Sequence, residues 1–467
     1  MADLSRIRNG EEITWRQQAS LTARLALPAI LAQLSSIIMQ YIDASMVGRL
    51  GASGAASVGL MSSSLWLFWG ICSAATTGFS VQAAHRLGAR DPEGARAVVR
   101  QGITACLIFG TLIAAIGAAI SFPLPHWLGG DDTINHAASV YFLTFVCALP
   151  MLTMNYLAGG LLRSAGNMKI PAILNVAMCL MDVVFNWFLI FPTRTVEIFG
   201  TAVTMPGADL GVFGAALGTV AAEIVTATLM LLYLLLREDE LKLKGRPGSF
   251  RPTRTVLRRA VNISFPMTLE HVIFCGAQIM ITVIVAPLGL VAIAANAFAV
   301  TAESLCYMPG FGIGEAATTL VGQSHGAGRR NLVVRFTHMA VGLGVVVMSV
   351  MGIILYIAAP WMMDLMTTDT AIQTLGTEVL RIEAWAEPLY AASIVAYGAF
   401  VGVGDTLIPA IMNFGSIWAV RIPLAALMAP TMGLRGVWIA MAIELSFRGG
   451  IFLWRMFGGR WLRHSAA

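Results

Sequence analysis

Twelve long runs of apolar residues divide this chain of 467 residues, and they restrict its fold more than any other feature. A helix needs about 20 consecutive apolar residues to cross the hydrocarbon core of a bilayer, and each run reaches that length. The runs lack the polar–apolar alternation of membrane β-barrel strands. The sequence therefore predicts an all-α membrane protein with twelve transmembrane helices, at about 24–48, 54–84, 99–122, 135–162, 168–192, 211–236, 257–287, 290–321, 334–358, 373–402, 407–429 and 434–457.

The few charged residues indicate how the chain lies in the membrane. Only 12% of residues are charged, about half the share in a soluble protein, and the net charge of +5 does not indicate nucleic-acid binding. Of the 30 Lys and Arg residues, 24 fall in the N-terminal leader, the even-numbered loops and the C-terminal tail. Because basic residues accumulate on the cytoplasmic side, we predict a multi-pass protein of the bacterial cytoplasmic (inner) membrane with both termini cytoplasmic.

The leader and the cysteines give two smaller predictions. The first apolar run is too long for the core of a signal peptide, so residues 1–23 are predicted to form a cytoplasmic leader, as an amphipathic helix on the membrane surface. The six cysteines lie in apolar stretches without a CxxC pair. They are predicted to be small buried hydrophobic residues rather than disulfides or metal ligands.

The two halves of the chain repeat each other at a constant offset in residue number. A proline precedes a glycine in the first span and in the seventh, at Pro28 and Gly51 and again at Pro266 and Gly289. The segment 166–175, GNMKIPAILN, recurs at the same offset at 404–413, as GDTLIPAIMN. The loops after the second and eighth spans also match, with a slight drift in the offset, as His85, Gly88 and Arg90 against His325, Gly328 and Arg330. These matches predict an internal duplication.

Six spans in each half give both halves the same orientation, related by a pseudo-two-fold axis along the membrane normal. The predicted parts are a leader (1–23), an N-terminal six-helix bundle (24–237), a cytoplasmic linker (238–256) and a C-terminal six-helix bundle with a short cytoplasmic tail (257–467). Two facing bundles leave a cleft that can open to either side. This favours a transporter over an enzyme or a one-state receptor.

Carboxylates inside the spans are candidate functional groups, because each costs about 2.5–3.5 kcal/mol to insert. Asp43 lies near the far end of the first span, and Asp182 and Asn186 share one face of the fifth span. If that face meets the first helix, the three residues form one polar cluster. Two carboxylates there cannot both stay ionised cheaply, so we predict that the pair holds a proton or a bridging cation. If Na⁺ is the coupling ion, Asp43 and Asp182 are its predicted ligands.

The second half carries a different set of acidic residues. Glu270 stands four residues after Pro266, and either has a function or pairs with Arg421 or another polar group. Glu303 and Glu387 are further candidates for a substrate site or a second polar site. Glu444 and Arg448, one helical turn apart, are predicted to satisfy each other.

Several catalytic signatures are absent from the sequence. It has no phosphate-binding loop for ATP, no HExxH and no GxSxG. We therefore predict a protein that is not an enzyme and needs no cofactor, so that any uphill transport must draw on an ion gradient.

These residues resemble the multidrug and toxic compound extrusion (MATE) family of cation-coupled antiporters. The resemblance covers residues from about 20 to 463. It rests on LP at 27–28 with DASMVGRLG at 43–51, on MPGFG at 308–312 followed by VGQ at 321–323, and on the paired GxxxIP segments. It implies two six-helix bundles and export of organic cations or other amphipathic drugs and metabolites in exchange for H⁺ or Na⁺, with no required oligomer.

The resemblance also assigns candidate residues. Asp43 matches the acidic residue of the family's first span, and Asp182 and Asn186 match the polar pair of its fifth. Members with a cation site in the C-terminal half carry a Glu where this chain has Phe274, and a tenth-span Asp near Tyr390, which makes Tyr390 a candidate for the second polar site. A C-terminal Na⁺ site is therefore not expected, and coupling through the Asp43 cluster is favoured.

Three rival functions stay open at this stage. A flippase for lipid-linked precursors in the same superfamily more often has fourteen spans and a more basic cavity. A membrane-embedded enzyme or receptor requires catalytic groups that converge in one cavity. A major-facilitator transporter requires a glycine- and arginine-rich loop after the second span, which this chain lacks in recognisable form.

Overall fold

The computed structural model describes residues 4–198 and 201–462. Within these ranges, eleven helices are long and apolar enough to cross a membrane, and a pair bent by 59° completes a twelfth span. The helices are α1 (Ser5–Asn9), α2 (Trp15–Gly48), α3 (Ala52–Gly88), α4 (Pro92–Ile120), α5 (Pro123–Trp127), α6 (Asp132–Ser164), α7 (Lys169–Ile190), α8 (Gly211–Leu236), α9 (Arg254–Val285), α10 (Leu290–Gly326), α11 (Arg330–Met366), α12 (Thr370–Ala384), α13 (Glu387–Val403), α14 (Leu407–Ser416), α15 (Ile422–Met432) and α16 (Leu434–Gly458).

Two of the predicted spans are irregular. The tenth consists of α12 and α13, which meet at the bend. The eleventh consists of α14 and α15, joined without a break by a π-helical turn at Ile417–Arg421. Such turns widen the helix by one residue and are frequent at functional sites. The twelve predicted spans are thus confirmed as helices, and both irregularities lie in the C-terminal half.

The backbone confirms the duplication. Gly51 and Gly289 have φ of 94° and 98°, and Gly166 and Gly404 have φ of 89° and 85°, so the same turns precede the same helices in the two halves. A residue with a Cβ would be strained there, which explains why glycine stands at these positions in both halves.

The loops after the second and eighth spans show that one detail of the predicted alignment of the halves is wrong, namely the offset in residue number between these loops. α3 ends at Gly88 and α10 at Gly326, and the positive φ that follows falls on Arg90 (59°) and on Gly328 (69°). The offset here is therefore the same one that relates Gly51 to Gly289, and the predicted drift is wrong. His85 corresponds to Gln323 rather than to His325, because the shared residue letters do not coincide with the shared backbone geometry.

The segment between α7 and α8 contains a pair of β-strands, which the apolar pattern of the sequence did not predict. Strands β1 (Pro192–Ile198) and β2 (Thr201–Ala208) pair antiparallel, with Arg194 opposite Met205. The Arg194 guanidinium lies 4.3 Å from the ring centre of Trp187 and 4.2 Å from that of Phe191. These cation–π contacts fix the hairpin over the end of α7.

In both halves, polar contacts connect the turn before the fifth span to the chain near the end of the sixth span. These spans are α7 and α8 in the first half, and α14–α15 and α16 in the second. In the first half, Asn167 Nδ2 donates to Glu238 Oε2 at 2.8 Å. At the corresponding turn in the second half, Asp405 pairs with Arg455. Glu238 lies outside the spans, and burial raises the pKa of its carboxyl. The same tie is therefore an amide–carboxyl pair in one half and an ion pair in the other.

The leader and the cysteines differ from their predictions. Leu4 and Ile7 are buried within a cluster that includes Val321 and Phe336, so the leader packs on the protein rather than on the membrane surface. Four cysteines are buried, but Cys147 is exposed and Cys275 is half-buried. The described cysteines are all free thiols.

The halves meet where helices cross closely. We call the face that carries the leader and the segment between α8 and α9 the inner face. Towards that face, α3 packs on α9 at Gly78, where a Cβ atom would lie 2.3 Å from the carbonyl oxygen of Ala260. Ser264 Oγ accepts the Gly78 N–H at 3.0 Å and donates to the Ala75 carbonyl at 3.1 Å. The contact between the halves therefore depends on the absence of a side chain at Gly78.

Replacing that glycine should destabilise the protein. We expect Gly78→Val to cost about 1–3 kcal/mol, the usual range for overpacking, because the clash is with backbone atoms that cannot rotate away. The measurement is the thermal unfolding midpoint in detergent. Gly342→Val is the matched control, since nothing lies within 4 Å of a Cβ at that position. Equal midpoints for the two variants would contradict the close crossing.

Candidate functional site

A polar cluster in the N-terminal half joins α2 to α7. Asp182 and Asn186 are 0% and 1% exposed, and they face the outer part of α2. Asn186 Nδ2 donates to Asp43 Oδ1 at 3.0 Å and to both oxygens of Asp182 at 3.2 Å. The structure thus brings together the three residues that the sequence analysis selected, and one amide bridges the two carboxyls.

The bridge places the two carboxyls within the roughly 4–6 Å over which charges strongly affect each other's protonation. Two negative charges around one neutral amide repel each other in a site from which water is largely excluded. Binding one proton removes this repulsion, and the protonated carboxyl can then donate to its partner. The pair consequently titrates as one unit.

The orientation of Asn186 is set by the packing of α7 on α8. Its Oδ1 lies against Gly218, where a Cβ would approach to 2.1 Å, so only glycine leaves room for the amide. That oxygen is buried and has no hydrogen-bond partner among the described residues. The N–H groups of the amide, and not its oxygen, therefore face the two carboxyls.

Further polar groups lie near the cluster, and a cavity opens on the same helices. Glu223 on α8 is buried and Tyr141 on α6 is half-buried, and both lie close enough to interact electrostatically with Asp182. A cavity of about 250 Å³ opens between α2 and the end of α7. Its lining residues are Tyr41, Ile42, Ser45, Met46, Arg49 and Trp187. Asp43, Asp182 and Asn186 are not among them, so the cavity lies on the same helix segments as the cluster without being lined by it.

In the C-terminal half, Glu270 accepts hydrogen bonds from two neighbours. Tyr397 Oη donates to its Oε2 at 2.6 Å, and Asn413 Nδ2 donates to its Oε1 at 2.5 Å. Glu270 therefore pairs with polar groups of α13 and α14. The alternative of a pair with Arg421 is wrong, because Arg421 is directed to Glu444 from the π-helical turn.

Glu444 is held between two arginines. Arg448 contributes Nε and Nη2 bonds of 2.8 Å each, which confirms the predicted pair. Arg421 adds an Nε bond of 2.9 Å, and Ser416 Oγ adds a bond of 2.6 Å. The two deep cations therefore share one buried carboxylate, and the group as a whole carries one net positive charge.

Three glutamates lie near this charged group. Glu303 is 6% exposed, while Glu383 and Glu387 are fully buried on either side of the bend between α12 and α13. The carboxyl oxygens of Glu383 and Glu387 have no hydrogen-bond partner in the described part of the chain. Tyr390 follows on α13, with its ring 5.7 Å from the Arg448 guanidinium. The structure thus brings Glu303, Glu387 and Tyr390 together, whereas the hydrogen bonds of Glu270 form a separate contact.

Sequence reasoning missed Glu383. It precedes Glu387 by four residues inside the predicted tenth span, the spacing that correctly joined Asp182 to Asn186. That spacing was the available signal. Among residues 4–198 and 201–462, no group of three or more His, Cys, Asp or Glu side chains is placed to hold a metal ion.

Comparison with known proteins covers both halves. Residues 28–188 and 266–427 match the family model described as MatE, and the two matched segments begin at the repeat-equivalent prolines Pro28 and Pro266. The chain is 25% identical over 440 residues to a probable multidrug resistance protein NorM of Thermotoga maritima, and the match covers 94% of this chain and 92% of that protein.

Two solved structures have the same fold. A crystal structure of MATE in complex with MaL6 gives a TM-score of 0.87 at 20% identity, over 99% of this chain and 100% of that chain. A MOP superfamily transporter from Pyrococcus furiosus gives 0.85 at 20% identity, over 97% of both chains, and is described as having a binding pocket of reverse polarity that suggests a different function.

Proposed function

Because the chain belongs to the MatE family of multidrug and toxic compound extrusion transporters, we propose that it exports organic cations or other amphipathic compounds in exchange for H⁺. The observation that carries this proposal is the Asn186 amide that bridges Asp43 and Asp182. One buried and one half-buried carboxyl around a single donor form a group that binds a proton or a substrate cation with a large change in local charge.

The exchange follows from competition for this charge. With both carboxylates ionised, the negative charge of the cluster attracts a cationic or amphipathic substrate to the N-terminal half. A proton that arrives from the outside lowers the negative charge of the pair from two to one and weakens that attraction, so substrate is released there. Return of the proton to the cytoplasm requires the cleft to open to the inner face, which makes the exchange obligatory.

The arrangement of Asn186 favours H⁺ over Na⁺ as the coupling ion. Na⁺ is bound by oxygen atoms, whereas the amide presents its N–H groups to the space between the carboxyls. A proton needs only a carboxyl oxygen and is compatible with that donor. Na⁺ held by Asp43 and Asp182 is the alternative that the experiment below distinguishes.

A flippase for anionic lipid-linked precursors is supported less well. Such a substrate needs cations available in the cleft, and the two deep arginines of the described chain are both bound to Glu444.

We also propose that both termini are cytoplasmic in a bacterial inner membrane, and that the functional parts are 1–23, 24–237, 238–256 and 257–467. One chain contains both halves, so no oligomer is required.

The test is uptake of ethidium into inverted proteoliposomes under an imposed pH gradient or an imposed Na⁺ gradient. We expect the pH gradient alone to drive accumulation, since one pH unit is worth about 1.4 kcal/mol per proton. Protein-free vesicles are the control. Accumulation driven only by Na⁺ would overturn the choice of ion, and indifference to both gradients would overturn the antiporter.

A further inference from the structure

The short helix α1 contacts both halves of the protein at the inner face. Arg90, in the turn between α3 and α4, donates from Nε to the Arg8 carbonyl at 2.6 Å. Arg329, in the corresponding turn between α10 and α11, donates from Nη1 to the Arg6 and Ile7 carbonyls at 3.2 and 3.4 Å. One guanidinium from each half therefore binds the C-terminal carbonyls of α1, where a helix dipole favours cations.

The side chain of Arg8 adds a second connection. Its Nε donates to Gln323 Oε1 of the C-terminal half at 3.0 Å, and its Nη1 lies 2.5 Å from Glu240 Oε1. Gln323 is fully buried, and its Nε2 donates across to the Ser164 carbonyl of the N-terminal half at 2.6 Å. Arg8 thus orients the glutamine that crosses between the halves.

Apolar residues anchor the leader on either side of Arg8. Leu4 is 2% exposed, Ile7 0% and Ile13 7%, and all three belong to the cluster of buried residues that includes Val321 and Phe336 of α10 and α11. An isolated helix this short is unstable in water. Its order here therefore depends on this packing and on the contacts from both halves.

Beneath α1 the two halves are in tight contact about the pseudo-two-fold axis. A Cβ at Gly88 would lie 2.1 Å from the Gln323 carbonyl, and a Cβ at Gly326 would lie 2.0 Å from the His85 carbonyl. Since 85 and 323, like 88 and 326, are repeat equivalents, these are two copies of one contact. Opening of the cleft to the inner face must separate these backbones, and α1 lies across them.

We propose that α1 is a strap that holds the inner face closed, and that Arg8 is the positioning residue whose contacts must break before the inner ends of the halves separate. The proposal rests on the alternating access of the proposed function. It adds to the two bundles a third element, supplied by the leader, that sets how readily the inner face opens.

The test measures access to the inner face and needs no transport. In a variant without the six native cysteines, Ala84→Cys places a thiol at a site that is 3% exposed and faces Gly322 of α10. A membrane-impermeant maleimide is added to inverted vesicles and the labelling rate is followed. We expect Arg8→Glu to raise the rate about tenfold, the factor that loss of a hydrogen bond to a charged group represents.

Two further variants make the result specific. Arg16→Glu changes the same charge at an exposed position of the first turn of α2 and should leave the rate unchanged. Arg8→Glu combined with Glu240→Arg restores the ion pair and should return the rate towards wild type. If Arg8→Glu does not accumulate in membranes, Arg8→Gln is measured instead.

Equal labelling of the Arg8 and Arg16 variants would overturn the strap, as would faster labelling that the charge exchange does not reverse. A wild-type protein that failed to transport ethidium would refute the proposed function while leaving this comparison of labelling rates intact.

Discussion

Asp43→Asn is expected to reduce pH-driven efflux by ~5- to 150-fold, the range that a coupling free energy of about 1–3 kcal/mol represents. Asn cannot bind the exchanged proton, yet it keeps the size of the side chain and can still accept the Asn186 N–H. The fold should therefore persist while the exchange stops. The measurement is ethidium uptake into inverted proteoliposomes at a fixed pH gradient, with the unfolding midpoint measured alongside.

Asp364→Asn is the matched control for this experiment. It makes the same chemical change at an exposed position near the end of α11, away from the cluster. We expect its uptake to equal that of the wild type. Full pH-driven uptake by Asp43→Asn would contradict proton coupling at this cluster. Glu303, Glu383 and Glu387 in the other half would then be the candidate proton-binding residues.

Glu444→Gln should have the largest effect on stability, a loss of about 3–5 kcal/mol. The substitution leaves Arg421 and Arg448 buried together without the carboxylate that compensates both. A buried pair that loses one partner costs far more than the pair contributes, because the remaining charge stays desolvated. The measurement is the thermal unfolding midpoint in detergent.

An exposed ion pair provides the comparison for Glu444. Glu378→Gln breaks the contact between Glu378 and Arg435, whose side chains are 38% and 56% exposed, and should cost no more than about 1 kcal/mol. Replacing all three buried charges by apolar residues of similar volume should recover much of the stability. Similar losses of stability for Glu444→Gln and Glu378→Gln would contradict the prediction that Arg421 and Arg448 need the Glu444 carboxylate to offset their buried charge.

Sequence reasoning succeeded where the relevant distance runs along one helix. Asp182 with Asn186, and Glu444 with Arg448, are one turn apart, so their shared face follows from helical geometry. The same rule could have found Glu383, which lies one turn before Glu387. Contacts of this kind need no knowledge of how helices pack.

It did not identify the partners of Glu270, which lie on other helices. The alternatives for Glu270 included Arg421, and the structure instead supplies Tyr397 and Asn413. Each residue turns a helix by about 100°, so a small rotation exchanges one neighbour for another. The π-helical turn that ends at Arg421 adds such a rotation, and no residue pattern announced it.

The sequence by itself determined the twelve spans, the internal duplication and the family. The length of each apolar run and the repeated glycines can be read directly from the order of the residues. The tertiary structure decided which polar groups meet: Asn186 between two carboxyls, Glu444 between two arginines, and α1 across both halves. Those contacts depend on how each helix is rotated and shifted against its neighbours. Close packing at positions such as Gly78 and Gly218 sets that rotation, and it exists only in the folded molecule.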